Sequence, residues 1–312
     1  MPRLAQVLEA AYASGVRTFR FTGGEPTMRR SLPEILLTAQ DLGSDVRIAL
    51  TTNGAHLDSL LETLPKLREP RVFLSVDGFA GEGEPPGQVG EFQIEKWLTP
   101  RLMGLVDELR PIARVRLNYV LTTSSALQLP ALIDYAKARH LDLKIFELLL
   151  RDFYYAGHRP RLDVFREQYV PVRTLLPSLR ARYGKPTRFG GTGGRGIPMR
   201  AFDTGSGRII YFDSFQGSHY GEACRDCPIF PCQEGLYALV LDANGTLHPA
   251  GCENRRLRAR LAVASPDKLL AAFEKLQKAI RSASLQPVVP DSLALASPKG
   301  QLASHLANKL LA

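Results

Sequence analysis

From Arg3 to Leu150 the sequence alternates, round after round, between segments with helical spacing of apolar residues and short β-rich runs. No other feature constrains the fold as much, because strands separated by helix-length segments pair in parallel and bury both sheet faces only when helices cover them. Leu4, Val7, Leu8 and Ala11 share one helical face, Gly15 ends that helix, and Val16 to Thr22 reads as a buried strand. Ser31, with Glu34 three residues on, suggests a capping box for a helix over Leu32 to Leu42 with Gly43 at its C-cap. Strands are expected at Val46 to Thr52, Val72 to Val76, Val115 to Leu121 and Leu143 to Leu149. Helices are expected at Leu57 to Leu67, Arg101 to Leu109 and Leu127 to Ala138. Each of the five strands is thus preceded by a helix.

Such folds place their chemistry on loops at the C-terminal ends of strands. Here those loops read Thr22-Gly23-Gly24-Glu25-Pro26, Thr51-Thr52-Asn53-Gly54 and Ser75-Val76-Asp77-Gly78. Glycines let a ligand approach the backbone, and the Glu25 carboxylate offers charge-assisted pairing to an ammonium. The Gly81 to Gly90 stretch reads as an exposed insertion. Past Asp152 the pattern changes to a helical segment over Leu162 to Tyr183 and a glycine-rich linker, Gly190 to Gly196, with Pro198 where a dinucleotide-binding helix would have to begin. Strands follow at Arg208 to Phe212 and Leu236 to Leu241, and the Asn244-Gly245 turn leads into Thr246 to His248. One more helix is expected at Lys268 to Ile280, then a Pro/Ser-rich joint before Gln301 to Leu311.

The chain has 312 residues and four cysteines, all between Cys224 and Cys252, which is too few for a disulfide scaffold and clustered as metal ligands are. Cys224-Arg225-Asp226-Cys227, then Cys232, then Cys252 after the hairpin suit either tetrahedral zinc or an iron-sulfur cluster. His248 alternates with apolar strand residues and reads as a packed histidine. The net charge of +9 favours anionic partners, but no stripe of interleaved aromatic and basic residues marks a nucleic-acid surface. No apolar run reaches a bilayer span and the start, Met1-Pro2-Arg3-Leu4, lacks a secretory signal, so a cytoplasmic protein is expected.

Taken in order, Phe19-Arg20-Phe21-Thr22-Gly23-Gly24-Glu25-Pro26, Leu50-Thr51-Thr52-Asn53-Gly54, Leu74-Ser75-Val76-Asp77-Gly78, Leu117-Asn118-Tyr119-Val120 and Ile145-Phe146-Glu147 closely resemble successive strand ends of radical S-adenosylmethionine enzymes. The resemblance is strongest to the branch holding the GTP cyclase of molybdenum-cofactor biosynthesis and the peptide-modifying maturases. It implies a partial parallel (β/α) TIM-like barrel lacking its first βα element, with a small cysteine-rich β domain. The divisions it implies are a barrel core over 1–151, a helical segment and linker over 152–196, an auxiliary-cluster domain over 197–260 and a helical tail over 261–312. By the same resemblance Gly23, Gly24, Glu25, Ser75, Asn118 and Leu149 hold S-adenosylmethionine, and Arg20, Thr51 and Arg116 face the substrate. Cys224, Cys227 and Cys252 match three recurring ligands of an auxiliary 4Fe-4S cluster, with Cys232 a fourth ligand or a free thiol. The barrel context tips these thiolates toward iron-sulfur rather than zinc.

Two departures qualify the resemblance. The family seats its reducing 4Fe-4S cluster on Cys-x-x-x-Cys-x-x-Cys after the first strand, and this sequence has no cysteine before Cys224. The expectation is an N-terminally truncated chain whose intact form holds that second cluster, the alternative being a homologue that has lost the chemistry. The GTP cyclase also carries Asn-Arg-x-Arg after its second auxiliary cysteine and ends in Gly-Gly. Here Pro228-Ile229-Phe230-Pro231 and Lys309-Leu310-Leu311-Ala312 stand instead. The implied function is reductive cleavage of S-adenosylmethionine, giving a 5'-deoxyadenosyl radical that modifies a small molecule (GTP among them) or a peptide, with flavodoxin or ferredoxin as electron donor. The chain alone is expected to be inactive. The rival is a non-catalytic zinc- or cluster-stapled nucleotide-binding protein.

Overall fold

The computed structural model describes residues 2–79, 88–89, 92–93, 97–148, 167–190, 199–213, 238–250, 257–261 and 265–281. Leu149, all four cysteines, most of the 81–90 insertion, the 191–196 linker and the 301–311 segment lie outside the described residues.

The five expected strands form: β1 (Thr18–Phe21), β2 (Arg47–Thr52), β3 (Arg71–Val76), β4 (Arg114–Leu121) and β5 (Asp142–Glu147). They pair in parallel and in chain order, β1-β2-β3-β4-β5. Their alternation sorts the two faces. Val72, Leu74 and Val76 of β3 are fully buried and join one apolar cluster with Leu36, Leu109, Leu132 and Ile133 of the helices, whereas Arg71, Phe73 and Ser75 face the other way and are half-buried. Helices α1 (Pro2–Ala13), α2 (Leu32–Asp41), α3 (Pro100–Leu109) and α4 (Leu129–Ala138) fill the expected crossovers.

Several local expectations are corrected. Leu57 to Leu67 is two 3-10 turns, Leu57–Leu60 and Leu64–Lys66, because Pro65 breaks the hydrogen-bond ladder of a continuous helix. Ser31 occupies the N-cap of α2 without a side-chain cap bond, its hydroxyl instead accepting from Arg29 Nε at 3.0 Å. Gly43 does not serve a left-handed cap; instead the end of the Tyr12 side chain packs against it, the hydroxyl 2.2 Å from where a Cβ would be. Of the segment ending at Tyr183, residues 162–166 lie outside the described residues; Glu167 and Gln168 are helical, the helix is then broken where Tyr169 bridges Thr122 and Pro171 precedes a 3-10 turn, and it resumes as α5 (Leu176–Tyr183).

The expected boundary at 196/197 does not coincide with a break in the sheet. β6 (Thr187–Arg188), β7 (Met199–Asp203) and β8 (Arg208–Phe212) extend it past β5 in the order β5-β8-β7-β6, with β8 parallel to β5 and β7 antiparallel to β8. The apolar run Ile209-Ile210-Tyr211-Phe212 is buried on both sides, as an internal strand must be. A separate small sheet, β9 (Leu239–Leu241), β10 (Thr246–Pro249) and β11 (Ala259–Arg260), forms the hairpin that Asn244-Gly245 signalled, and its β10 meets α6 (Pro266–Arg281). Leu247, Leu261, Leu269 and Phe273 of this part are buried in the same apolar cluster as Val7 and Leu8 of α1, and Gln277 Nε2 donates to Ser14 Oγ at 2.9 Å. His248 is buried, as its strand position implied, with Nδ1 3.0 Å from the Pro249 carbonyl oxygen.

Candidate active site

The strand-end turn after β1 is built around Glu25. Its Oε1 accepts from Thr27 N at 3.1 Å, from the Thr27 hydroxyl, and from Thr52 Oγ1 at 2.6 Å, while Oε2 accepts from Asn53 N at 2.7 Å. The carboxylate therefore clasps the end of β1 to the end of β2. Burial would raise its pKa, but the bonds from Thr27, Thr52 and Asn53 prevail and hold it below the ordinary glutamate value. Oε1 is saturated. Oε2, with one donor, keeps a lone pair for an incoming ammonium.

The two glycines before it differ in conformation. Gly23 has φ +124, a conformation L side chains rarely adopt, whereas Gly24 has an ordinary backbone and open space where a Cβ would be. A Cβ at Gly23 would also meet open space, so a ligand can lie directly on the backbone at either glycine. Gly54, at the end of β2, combines φ +84 with a would-be Cβ contact of 2.5 Å to Leu102, so the neighbouring strand end is fixed by packing.

Arg20, Thr51, Phe73, Ser75, Arg116 and Asn118 all stand on the sheet face turned away from the helices, and the register sets them in rows. Thr51 opposes Phe73, Phe73 opposes Arg116, and Ser75 opposes Asn118. Arg20 Nε donates to Thr51 Oγ1 at 2.8 Å, and Arg116 Nε donates to Asn118 Oδ1 at 3.1 Å. Both guanidiniums sit over the Phe73 ring, Arg116 at 3.8 Å and Arg20 at 5.4 Å from its centroid. Burial, with Arg20 and Arg71 nearby, lowers the Arg116 pKa to about 10, against a smaller opposing pull from Asp142. Arg116 forms no ion pair among the described residues, and Asp142 is itself held by Arg208, at 2.8 and 3.0 Å. A half-buried cation without a counter-ion is costly, and an anionic ligand would remove that cost.

Three of the residues expected on S-adenosylmethionine (Gly23, Gly24, Glu25) therefore share one turn, and Ser75 and Asn118 share a row at the same end of the sheet. All three residues expected on the substrate (Arg20, Thr51, Arg116) are brought together. Asn118 departs from its expected part in one respect: it is 7% exposed and its side-chain oxygen is engaged by Arg116, so it orients that guanidinium as well. Reading the sequence for polar motifs missed Phe73 and the donors Thr27 and Thr52. The signal for Phe73 was its parity, in the row of Arg71 and Ser75 rather than of Val72 and Leu74.

Glu147, buried at the end of β5, accepts from Val172 N at 2.7 Å and from the Tyr169 hydroxyl at 3.2 Å; burial and the adjacent carboxylate push the Tyr169 phenol up. This pair fastens the 169–172 segment and offers no open group. No group of three His, Cys, Asp or Glu able to hold a metal occurs among the described residues. The turn fits S-adenosylmethionine. The described residues do not supply ligands for the reducing cluster.

Residues 2–94 match the model of the Radical SAM superfamily. The fold agrees with the solved structure of native anSMEcpe with bound AdoMet, at TM-score 0.52 and 13% identity, covering 90% of this chain and 73% of that one. The chain is also similar to GTP 3',8-cyclases. It is 27% identical to that of Helicobacter pylori (strain HPAG1) over 48% of this chain and 45% of the relative. It is 25% identical to that of Nitrobacter winogradskyi over 90% of this chain and 75% of the relative. The chain thus spans less than half the length of the Helicobacter relative. No helix among the described residues is long and apolar enough to cross a membrane.

Proposed function

We propose that the chain binds S-adenosylmethionine on the Gly23–Glu25 turn and orients an anionic small molecule on the adjoining sheet face, as part of a radical S-adenosylmethionine enzyme. The observation that carries the substrate half is Arg116, a half-buried guanidinium with no ion pair among the described residues, beside Arg20. The GTP 3',8-cyclase relatives make a purine nucleoside triphosphate the leading candidate of that class. S-adenosylmethionine, when bound and reduced, supplies the hydrogen-abstracting group. The chain's own residues do the rest: Gly24 admits the methionine end, Glu25 Oε2 receives its ammonium, Ser75 and Asn118 lie near the ribose, and Arg20, Thr51 and Arg116 fix the substrate anion.

Cys224, Cys227 and Cys252, with Cys232 beside them, are proposed to hold an auxiliary 4Fe-4S cluster, Cys252 coming three residues after β10 and the others before β9 in the sequence. Leu149 is proposed near the adenine, and a flavodoxin or ferredoxin as the donor. Anaerobic calorimetric titration with GTP tests the substrate class. Saturable binding that Arg116→Met weakens about tenfold or more is expected, a charge-assisted contact being worth about 1.5–3 kcal/mol. Binding of a peptide with no competition from GTP would overturn it. Colourless stoichiometric zinc after reconstitution, in place of iron and sulfide, would favour the zinc-stapled binding protein instead.

A further inference from the structure

We propose that Phe73 is a positioning residue of the substrate face, its ring holding the Arg116 guanidinium flat beneath a ligand, with Arg20 at its edge. The inference rests on the reading of that face as an anion site. Thr51, Phe73 and Arg116 form one cross-strand row on β2, β3 and β4, and Arg20 is tied into it through Thr51. Arg116 lies over the ring at 3.8 Å and Arg20 at 5.4 Å, both within cation–π range.

The choice of residue type matters for what the cations can still do. A carboxylate at position 73 would occupy the N–H donors and cancel the charge. An aliphatic side chain would remove the attraction that the ring face offers both guanidiniums. A ring attracts a guanidinium through its face, while the guanidinium donates its hydrogen bonds in its own plane. Among the described residues, Arg116 stacked in this way spends only Nε, on Asn118, and keeps its terminal N–H groups for a ligand. The same arrangement recurs one strand further on, where Lys144 Nζ stands 4.3 Å from the Phe146 ring centroid and 5.9 Å from that of Phe212. At the N-terminal end of this face Asp142 is matched by Arg208.

The test is calorimetric titration of the whole chain with inorganic pyrophosphate at fixed ionic strength. The proteins compared are wild type, Phe73→Tyr, Phe73→Leu, Arg116→Met, and a chain with trifluorophenylalanine at position 73, which keeps the shape of the ring but weakens its negative face. Phe73→Tyr should bind within about twofold of wild type and Phe73→Leu roughly 5- to 20-fold more weakly, with the fluorinated ring between them. If wild type and Arg116→Met bind alike, or neither binds, the anion site itself is wrong. If wild type binds and Phe73→Leu matches it, only the role of Phe73 is wrong. The same follows if the fluorinated ring equals Phe73, because packing alone would then account for the position.

Discussion

Replacing Glu25 by Gln should destabilise the fold at neutral pH, and the size of the loss can be worked from its four bonds. The side-chain carbonyl of Gln can take over Oε1, keeping the bonds from Thr27 N, the Thr27 hydroxyl and Thr52 Oγ1. Its NH2 then falls where Oε2 accepted from Asn53 N, and two donors face each other. One charge-assisted bond is lost and a partly buried backbone N–H is left without an acceptor, a cost of about 1–3 kcal/mol, in the lower part of that range because the turn is half-exposed. The sign of the pH dependence follows from the lowered pKa of Glu25. A carboxylate depressed in the folded state contributes stability above its unfolded value, near 4.5, and loses it as pH falls through the folded value. Urea unfolding of wild type and Glu25→Gln should therefore differ fully at pH 7, and the two should converge in acid below that lowered value. A difference that stays constant with pH, or no difference at pH 7, would refute the account of this turn as a carboxylate clasp.

Gly207→Ala should destabilise by about 1–3 kcal/mol in thermal or urea unfolding, because the new Cβ would lie 2.3 Å from the Leu141 carbonyl oxygen and backbone must move. Gly43→Ala should cost less, since the group it meets is the far end of the Tyr12 side chain, which can turn away. Among the cysteines, Cys224→Ala, Cys227→Ala or Cys252→Ala should each abolish metal retention after anaerobic reconstitution, measured as iron and sulfide per chain, while Cys232→Ala should retain more. Equal loss in all four would make Cys232 a full ligand.

How much of this could be read from residues alone depended on how local the deciding interactions are. The five strands were legible because runs such as Val72-Phe73-Leu74-Ser75-Val76 carry their burial pattern in their own alternation. The Leu57 to Leu67 helix was not, since its apolar spacing is helical and only the position of Pro65 argued against it. The placement of β7 and β8 in the main sheet was illegible for a different reason: their pairing to β5 joins Ile209 to Leu143 across 66 residues, and nothing within either strand names its partner. At the site, the turn glycines and Arg20, Thr51 and Arg116 were legible as a set through their order at strand ends. The Glu25 clasp was not, because its donors Thr27, Thr52 and Asn53 come from two loops that only the fold brings together.

The central claim, that the Gly23–Glu25 turn receives S-adenosylmethionine, is tested most directly by residue-resolved nuclear magnetic resonance of the chain labelled with 15N-glycine, titrated with S-adenosylmethionine into the millimolar range. The account predicts saturable shifts of the Gly23 and Gly24 amides, with Gly15 and Gly205 unmoved, and loss of those shifts in Gly24→Val. That variant should fold normally, because a side chain at position 24 meets open space in the free protein. Shifts confined to other glycines, or identical titrations for wild type and Gly24→Val, would contradict it.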